Sequence, residues 1–530
     1  MEAVRLGREQ TCVRGPPLMN VKDTLLQAVK AFGDRPAVCD GERSHSYQQV
    51  WTRACRLANG LLAWGFEPGT RVAVLEDNSI ESLDVVVGLA IAGFVRVPLY
   101  AGSALAIQMN IVEHTNCQAL IVSPAHADTA REMHRQDPKL RLLTYGASYE
   151  TWLASADDSD PNINVSDEDL FIIRHSGGTT GVPKGVPISH RTWLYSIYEW
   201  SYSLPPLSPS DVFLQVSPLS HGAGYLLLPT WIAGACTLVR PAFDAADCLQ
   251  CLTKYRVTYS FFGPADLNVL TRFASAAAVP PQNWLKAVIT GGSPIAESTI
   301  RRLHKCFGQV LYQYYGQVEA GIISVMPPLN LDEVSLGDSR LQSCGRPRHD
   351  VQVCVLDDAC EALPPGQVGE IAIRGHGVMS GYWKNPQKTA TKFNQGWLLT
   401  GDLGRIDEQH YLYLLDRKEE MVVSSGMNIY PNEVENVLMG HTQVLEAVVF
   451  GVPDENCGEA LQAICVLRQG ANTDAKVLAE LCRQALGEFK TPQKIVLQHE
   501  PLPRSAVGKI QRRAIRANWW GNTERFIHAV

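Results

Sequence analysis

The sequence predicts an α/β fold: a large N-terminal domain of parallel-rich sheets with helices, followed by a small α+β C-terminal domain. Three observations carry this. Up to residue 122, short apolar strands alternate with amphipathic helices across tight turns, the pattern of a parallel sheet. The apolar run Leu170-Phe171-Ile172-Ile173 reads as a buried strand and opens onto a stretch holding four glycines, two threonines and a lysine. From residue 417 a new set of strands and helices begins, long enough for a core of its own.

Composition bounds the answer. The 530 residues suffice for two or more domains. With 45% hydrophobic and 19% charged residues, the chain can build large cores and is not disordered. A net charge of −7 argues against a nucleic-acid partner. The longest apolar run, 85–95, is shorter than the roughly 20 residues a membrane helix needs and reads as a core helix. Residues 1–20 hold no apolar segment of the signal-peptide kind. The 14 cysteines are scattered, and the single C-x-x-C, Cys248 with Cys251, falls in a helical stretch without a second pair. They read as structural thiols of a reduced, cytoplasmic protein.

The elements follow in order. Asn20 caps a helix over 21–32 with Val21, Leu25, Val29 and Phe32 on one stripe. Ser46-Tyr47-Gln48-Gln49 is a capping box opening a second helix, whose buried face is Val50, Ala54, Leu57 and Leu61. Strands over 71–75, 95–99 and 119–122 alternate with helices over 80–92 and 104–115. The stretch 146–169 is acidic and reads as irregular. A strand over 212–216 delivers Ser217-Pro218-Leu219-Ser220-His221-Gly222, and a strand over 258–262 follows. A strand over 287–290 delivers Gly291-Gly292-Ser293-Pro294, and one over 310–314 leads into Tyr315-Gly316-Gln317-Val318-Glu319. The C-terminal unit has strands over 447–451, 463–467 and 494–498 and helices over 432–439 and 475–486.

The glycine-rich stretch carries the chemistry. Glycines let the backbone turn its N–H groups toward a ligand, hydroxyls add donors, and a lysine adds a point charge. A polyphosphate needs this set. The spacing matches neither Walker A nor the dinucleotide G-x-G-x-x-G.

Ser176-Gly177-Gly178-Thr179-Thr180-Gly181-Val182-Pro183-Lys184-Gly185 resembles the phosphate loop of the adenylate-forming superfamily, which includes acyl- and aryl-CoA synthetases, peptide-synthetase adenylation domains and luciferase. Seven motifs occur in that superfamily's order from Ser176 to Lys509, and the chain looks closest to its stand-alone carboxylic acid:CoA ligases. The resemblance implies an ATP- and acid-binding domain over 1–416 and a mobile domain over 417–530 carrying the catalytic lysine. It implies that Ser176 to Gly181 and Lys184 hold the phosphates of ATP, with Gly291, Gly292 and Ser293 against adenine. Tyr315 stacks on the base, and Asp402 and Arg417 take the ribose. Glu319, with Thr180, binds Mg2+. His221 stands beside the acyl carboxylate, Lys509 is catalytic, Glu419 is the hinge pivot, and Ser424, Ser425 and Gly426 line a channel for CoA. Val318 replaces the family's usual threonine and cannot donate its hydrogen bond.

The expected function is activation of a carboxylic acid to an acyl-adenylate, then transfer to the thiol of CoA. Transfer to a carrier-protein thiol or to an amine is the alternative, and a non-catalytic nucleotide-binding protein is the remote one. No aspartate lies in 219–225, which argues against an ordinary α-amino acid. Tyr225, Phe261, Phe262 and Tyr314, with Gly291, Gly292 and Gly316, are the candidate acid pocket, and they favour an aromatic or compact cyclic acid. Tyr314 stands where many relatives have glycine. Its ring either narrows the pocket or hydrogen-bonds a polar substituent. A monomer or a homodimer is expected, with no membrane partner.

Overall fold

Local chemistry sets the first helices. The Asn20 side chain accepts from Asp23 N–H at 2.9 Å and starts helix Val21–Phe32. The Ser46–Gln49 capping box is reciprocal, at 3.2 and 2.8 Å, and starts helix Tyr47–Ala63. That helix buries Val50, Ala54, Leu57 and Leu61 and packs closely on helix Glu81–Ile91, where Gly88 leaves room for the Ala54 carbonyl. The structure is a computed structural model that describes residues 19–520 except 177–182, 199, 278–282, 336–337, 426, 455–456 and 506–508. Gly177, Gly178, Thr179, Thr180, Gly181 and Gly426 therefore lie outside the described residues, as does the side chain of Ser176.

Two parallel-rich sheets form the body. In one, the order is Arg141–Thr144, Ala119–Val122, Arg71–Leu75, Val95–Pro98, Leu170–Ser176, Lys184–Ser189. All its pairs are parallel except the last. The other places Gly321–Met326, Leu311–Gln317, Ala287–Gly291, Tyr259–Phe261, Val212–Gln215, Cys236–Val239 and Pro36–Cys39 side by side, with short edge strands beyond each end. The largest core fills the space between these sheets and their helices. A third, antiparallel sheet of Val351–Leu356, Gly369–Gly375, Trp397–Ile406, Phe393–Asn394 and Leu412–Arg417 follows. The smaller C-terminal unit is a sheet of Val422–Ser424, Met427–Ile429, Val444–Asp454, Gly458–Leu467 and Lys494–Gln498 with its own core.

Some local readings change. Lys184–Ser189 is a strand antiparallel to Leu170–Ser176, not part of a loop. The acidic stretch contains helix Ala147–Ala154, which buries Tyr149 and Leu153. Asp402 lies within strand Trp397–Ile406, where Gly401 takes a φ of +77°. The antiparallel sheet ends at Arg417 and the next begins at Val422, so the expected break between 416 and 417 falls inside the last strand. Cys248 and Cys251 are buried free thiols. Among the described residues no helix is long and apolar enough to cross a membrane.

Candidate active site

The strands of the two large sheets end at a common cleft, where binding sites of open parallel sheets form. Leu170–Ser176 carries Arg174 and leads to the glycine-rich turn. Val212–Gln215 leads to His221, Tyr259–Phe261 carries Phe261, Ala287–Gly291 ends at Gly291, and Leu311–Gln317 carries Tyr314, Tyr315 and Gln317.

His221 is partly buried. Its Nδ1 lies 2.8 Å from Ser220 Oγ, and its ring meets Tyr100 edge-on at 4.9 Å. Burial lowers its pKa to about 4, with the charges of Arg174 and Lys509 adding to the effect. It is therefore a neutral imidazole at pH 7. In the tautomer in which Ser220 donates to Nδ1, Nε2–H is left as a donor.

Arg174 was not singled out from the sequence. It is 5% exposed, donates to the Ser220 carbonyl at 2.9 Å, and lies 4.7 Å from the centre of the Tyr225 ring. Trp193 stacks on Tyr225 at 4.7 Å. This corrects one expectation: Tyr225 is covered by Trp193 and by the guanidinium, so it offers no open ring to a flat acid. Phe262 is a second correction. Successive residues at a strand point to opposite faces. Phe261 meets Tyr314 at 6.0 Å, whereas Phe262 is fully buried behind the sheet against Phe243. Tyr314 forms the floor of the cleft. Its ring packs edge-on against Trp200 at 5.9 Å, and a Cβ on Gly222 or Gly291 would collide with it. Those two glycines make room for the tyrosine. Gly316 is glycine for another reason: a Cβ there would strike the Gly321 carbonyl.

Asp402, 7% exposed, is the hub on the other side. Its Oδ2 accepts from the Tyr315 hydroxyl and from Gln317 Nε2, both at 2.5 Å, and its Oδ1 pairs with Arg417 Nε at 2.7 Å. Tyr315 itself is 7% exposed, and Val318 packs against the main core. Gly292 and Ser293 are exposed after the strand end.

Glu319 is partly buried. Its Oε1 accepts from the Tyr382 hydroxyl at 3.0 Å, and its charge reaches Lys184, Lys392 and Lys509. Lys184 sits 5.5 Å from the Tyr382 ring centre. Lys392 donates to the carbonyls of Leu399 and Thr400 at 3.0 and 3.3 Å. Gln317, Tyr382 and Lys392 escaped the sequence reading because their neighbours come from distant strands.

Lys509 arrives from the C-terminal unit. Its loop is closed by a bridge between Arg504 and Ile510 and by Ser505 N–H donating to the Lys509 carbonyl at 2.7 Å. Lys509 is exposed to solvent. Desolvation and then Arg417 lower its pKa, while Asp402 and Glu319 pull the other way. The charges of Arg417, Asp402 and Glu319 thus act on Lys509, and the charge of Lys509 acts on His221. Glu419 is exposed in the turn between the third sheet and the C-terminal sheet. Ser424 is buried in the C-terminal sheet, and Ser425 takes a φ of +49° beside Cys457, whose carbonyl accepts its N–H at 2.7 Å.

A two-sheet body meeting a small mixed unit at a cation-rich cleft is the architecture of an adenylate-forming enzyme. The AMP-binding enzyme family matches residues 25–383 and the AMP-binding enzyme C-terminal domain matches residues 433–509; the chain belongs to this family. A feruloyl-CoA synthase from Amycolatopsis sp is 32% identical over 91% of this chain and 95% of its own length. The medium/long-chain-fatty-acid–CoA ligase FadD8 of Mycobacterium tuberculosis (strain ATCC 25618 / H37Rv) is 29% identical over 95% and 90%. The fatty acid–[acyl-carrier-protein] ligase ScoC of Streptomyces coeruleorubidus is 31% identical over 93% and 95%. Among solved structures, ATP-bound MatB from Rhodopseudomonas palustris superposes with a TM-score of 0.85 at 26% identity, covering 95% of this chain and 99% of that one. The amide bond synthetase McbA from Marinactinospora thermotolerans gives 0.85 at 26%, covering 94% and 100%.

Proposed function

We propose that this protein is an ATP-dependent carboxylic acid:CoA ligase that forms AMP and pyrophosphate. The observation that carries the reading is Lys509: a lysine from the C-terminal unit reaches the cleft where Glu319, Asp402, Arg417 and His221 meet. The same observation disfavours a non-catalytic binder.

The acid's carboxylate is already a nucleophile, so adenylation needs no general base. The protein must align it with the α-phosphorus and neutralise charge on the phosphate oxygens. Neutral His221 donates from Nε2 to the carboxylate. Lys509 stabilises the transition state and the departing pyrophosphate. Lys184, with the hydroxyls and backbone of residues 176–181, holds the outer phosphates. Asp402 and Arg417 take the ribose, and Tyr315, fixed by Asp402, supports the base with Gly292 and Ser293. Glu319 fits Mg2+: it is a hard oxygen donor at the cleft, with its Oε1 oriented by Tyr382. Thr180 is proposed as the second ligand. When bound, the ion adds positive charge beside the phosphates.

For the second half, a thiolate attacks the adenylate and AMP leaves. Lys509 occupies the cleft in the present arrangement, so the C-terminal unit must turn away first. The turn at 418–421 joins the two sheets, and we place the domain boundary and the Glu419 pivot there. The serine turn at 424–426 then lines the pantetheine channel. Glu419→Pro is expected to spare adenylation and to slow thioester formation at least tenfold. Stopped-flow measurement of the two half-reactions checks it, and normal CoA turnover would move the pivot elsewhere.

The acid is aromatic or compact cyclic, because Tyr314 closes the pocket floor. Tyr314→Gly is expected to raise activity toward longer acids about tenfold relative to benzoate, as read by kcat/KM. A wild-type preference for palmitate over benzoate-type acids removes this part of the proposal. ScoC and McbA support the alternative acceptors, a carrier-protein thiol or an amine. Net turnover with and without CoA decides: stoichiometric acyl-CoA and AMP only with CoA supports the ligase, and adenylate accumulation regardless of CoA points to another acceptor. The many unpaired thiols suit a reducing, cytoplasmic setting.

A further inference from the structure

Arg174 poses a physical problem. It is a guanidinium, 5% exposed, held by the Ser220 carbonyl and by Tyr225, and no carboxylate pairs with it among the described residues. Behind it stands a second guanidinium, Arg96, 4% exposed, whose Nε has no hydrogen-bond partner among the described residues. The carboxylate acting on Arg96 is Glu76, and Glu76 already accepts from the Tyr145 hydroxyl at 2.6 Å. Two buried guanidiniums thus lie close together, and the one carboxylate acting on Arg96, Glu76, is not among the groups acting on Arg174. Burying a cation without a counter-charge is costly, so such a group is retained where an anion completes it.

Arg174 lies on the Tyr225 and Tyr314 side of His221: it donates to the Ser220 carbonyl, its guanidinium is 4.7 Å from the centre of the Tyr225 ring, and the Tyr314 hydroxyl fills the space beside Gly222. Burial opposes its charge, while the phenols of Tyr225, Tyr100 and Tyr314 favour it and leave its pKa raised. The charged groups acting on Lys509 are Arg417, Asp402 and Glu319. The charges of both Arg174 and Lys509 act on His221. Tyr314, packed on Phe261 and Trp200, and Tyr315, which donates to the Asp402 carboxylate paired with Arg417, are successive residues of one strand and face opposite sides, so the acid-pocket aromatics and the Asp402–Arg417 pair lie on different sides of that strand. An acid whose reacting carboxylate meets His221 points its far end at Arg174.

We propose that Arg174 is a specificity-determining residue that takes a second carboxylate on the acid, so that the preferred substrates are compact acids carrying a distal anionic group. This rests on the acid-activating reading above and names its substrate class. A guanidinium fork already oriented by Ser220 and Tyr225 offers its remaining N–H groups to a carboxylate at little ordering cost. The phenol of Tyr314 adds a donor beside it.

The test is ATP–pyrophosphate exchange with matched pairs that differ in the distal group: benzoate and isophthalate, cyclohexanecarboxylate and cyclohexane-1,3-dicarboxylate, hexanoate and adipate. The wild-type protein is expected to favour the diacid in at least one pair by about 100-fold in kcat/KM, the discrimination open to a site with a buried charge left unpaired by the wrong ligand. Arg174→Met is expected to bring that ratio to near one, mainly through KM, and Arg174→Lys to retain part of it. The ratio, rather than either rate alone, is the reading. A wild-type ratio near one in every pair overturns the proposal without any variant needing to fold. So does an Arg174→Met protein that loses both members of a pair equally, which would assign Arg174 to the reacting carboxylate or to the fold. Exchange with neutral acids alone sinks this inference and leaves the ligase reading intact, whereas no exchange with any acid sinks both.

Discussion

Lys509→Ala is expected to slow adenylate formation about 10²–10³-fold, or roughly 3–4 kcal/mol of barrier. The ammonium is a single charge on which Glu319 and Asp402 act favourably. Because the residue is solvent-accessible and its loop is closed by backbone contacts, the fold should survive. The variant should still convert a supplied acyl-adenylate with CoA at close to the wild-type rate. Single-turnover assays of each half-reaction measure this. Equal losses in both halves would mean that Lys509 does not leave the cleft between them.

Asp402→Ala is the second large effect, and it combines stability with binding. One carboxylate organises three partners: the Tyr315 hydroxyl, the Gln317 amide and the Arg417 guanidinium. Removing it strands a buried phenol and a partly buried amide, which costs about 2–4 kcal/mol in stability. It also frees the Tyr315 ring and Arg417, both proposed to hold the nucleoside. The expected loss in kcat/KM for ATP is about 10²-fold or more. Denaturant unfolding and ATP-dependent kinetics read the two effects separately. Asp402→Asn keeps the volume and one acceptor oxygen, so it should recover most of the stability and little of the ATP affinity. Full activity in either variant would remove Asp402 from the nucleotide site.

What was legible in the sequence was mainly local. Asn20 and the Ser46–Gln49 box fix helix starts through hydrogen bonds spanning three residues, so the residues themselves announce them. The strands over 71–75 and 119–122 follow from apolar runs between turns. Among the motif residues, the charges of Glu319 and Asp402 act on Lys509, and that of Lys509 acts on His221, across the chain's long separations.

What was hidden was non-local. Lys184–Ser189 reads as the tail of a loop because its strand partner, Leu170–Ser176, is a separate apolar run that the local sequence does not point to. Phe261 and Phe262 are chemically alike, and one residue of pleat decides that one meets Tyr314 and the other meets Phe243. Tyr225 looks like an open ring until Trp193 and Arg174 cover it. Gln317 could not be weighed because its target, Asp402, lies on another sheet. Arg174 did leave a signal: it is a charge directly following four apolar residues on a central strand, where an arginine is expensive unless something neutralises it.

The most direct test of the central claim is acid-dependent exchange of labelled pyrophosphate into ATP, run without CoA. If this cleft activates a carboxylate as an adenylate, exchange appears only when a suitable acid is present, requires Lys509, and is accompanied by AMP rather than ADP once CoA is added. Absence of exchange across aromatic, cyclic, short- and long-chain acids, or nucleotide turnover to ADP and phosphate, would contradict adenylation at this site.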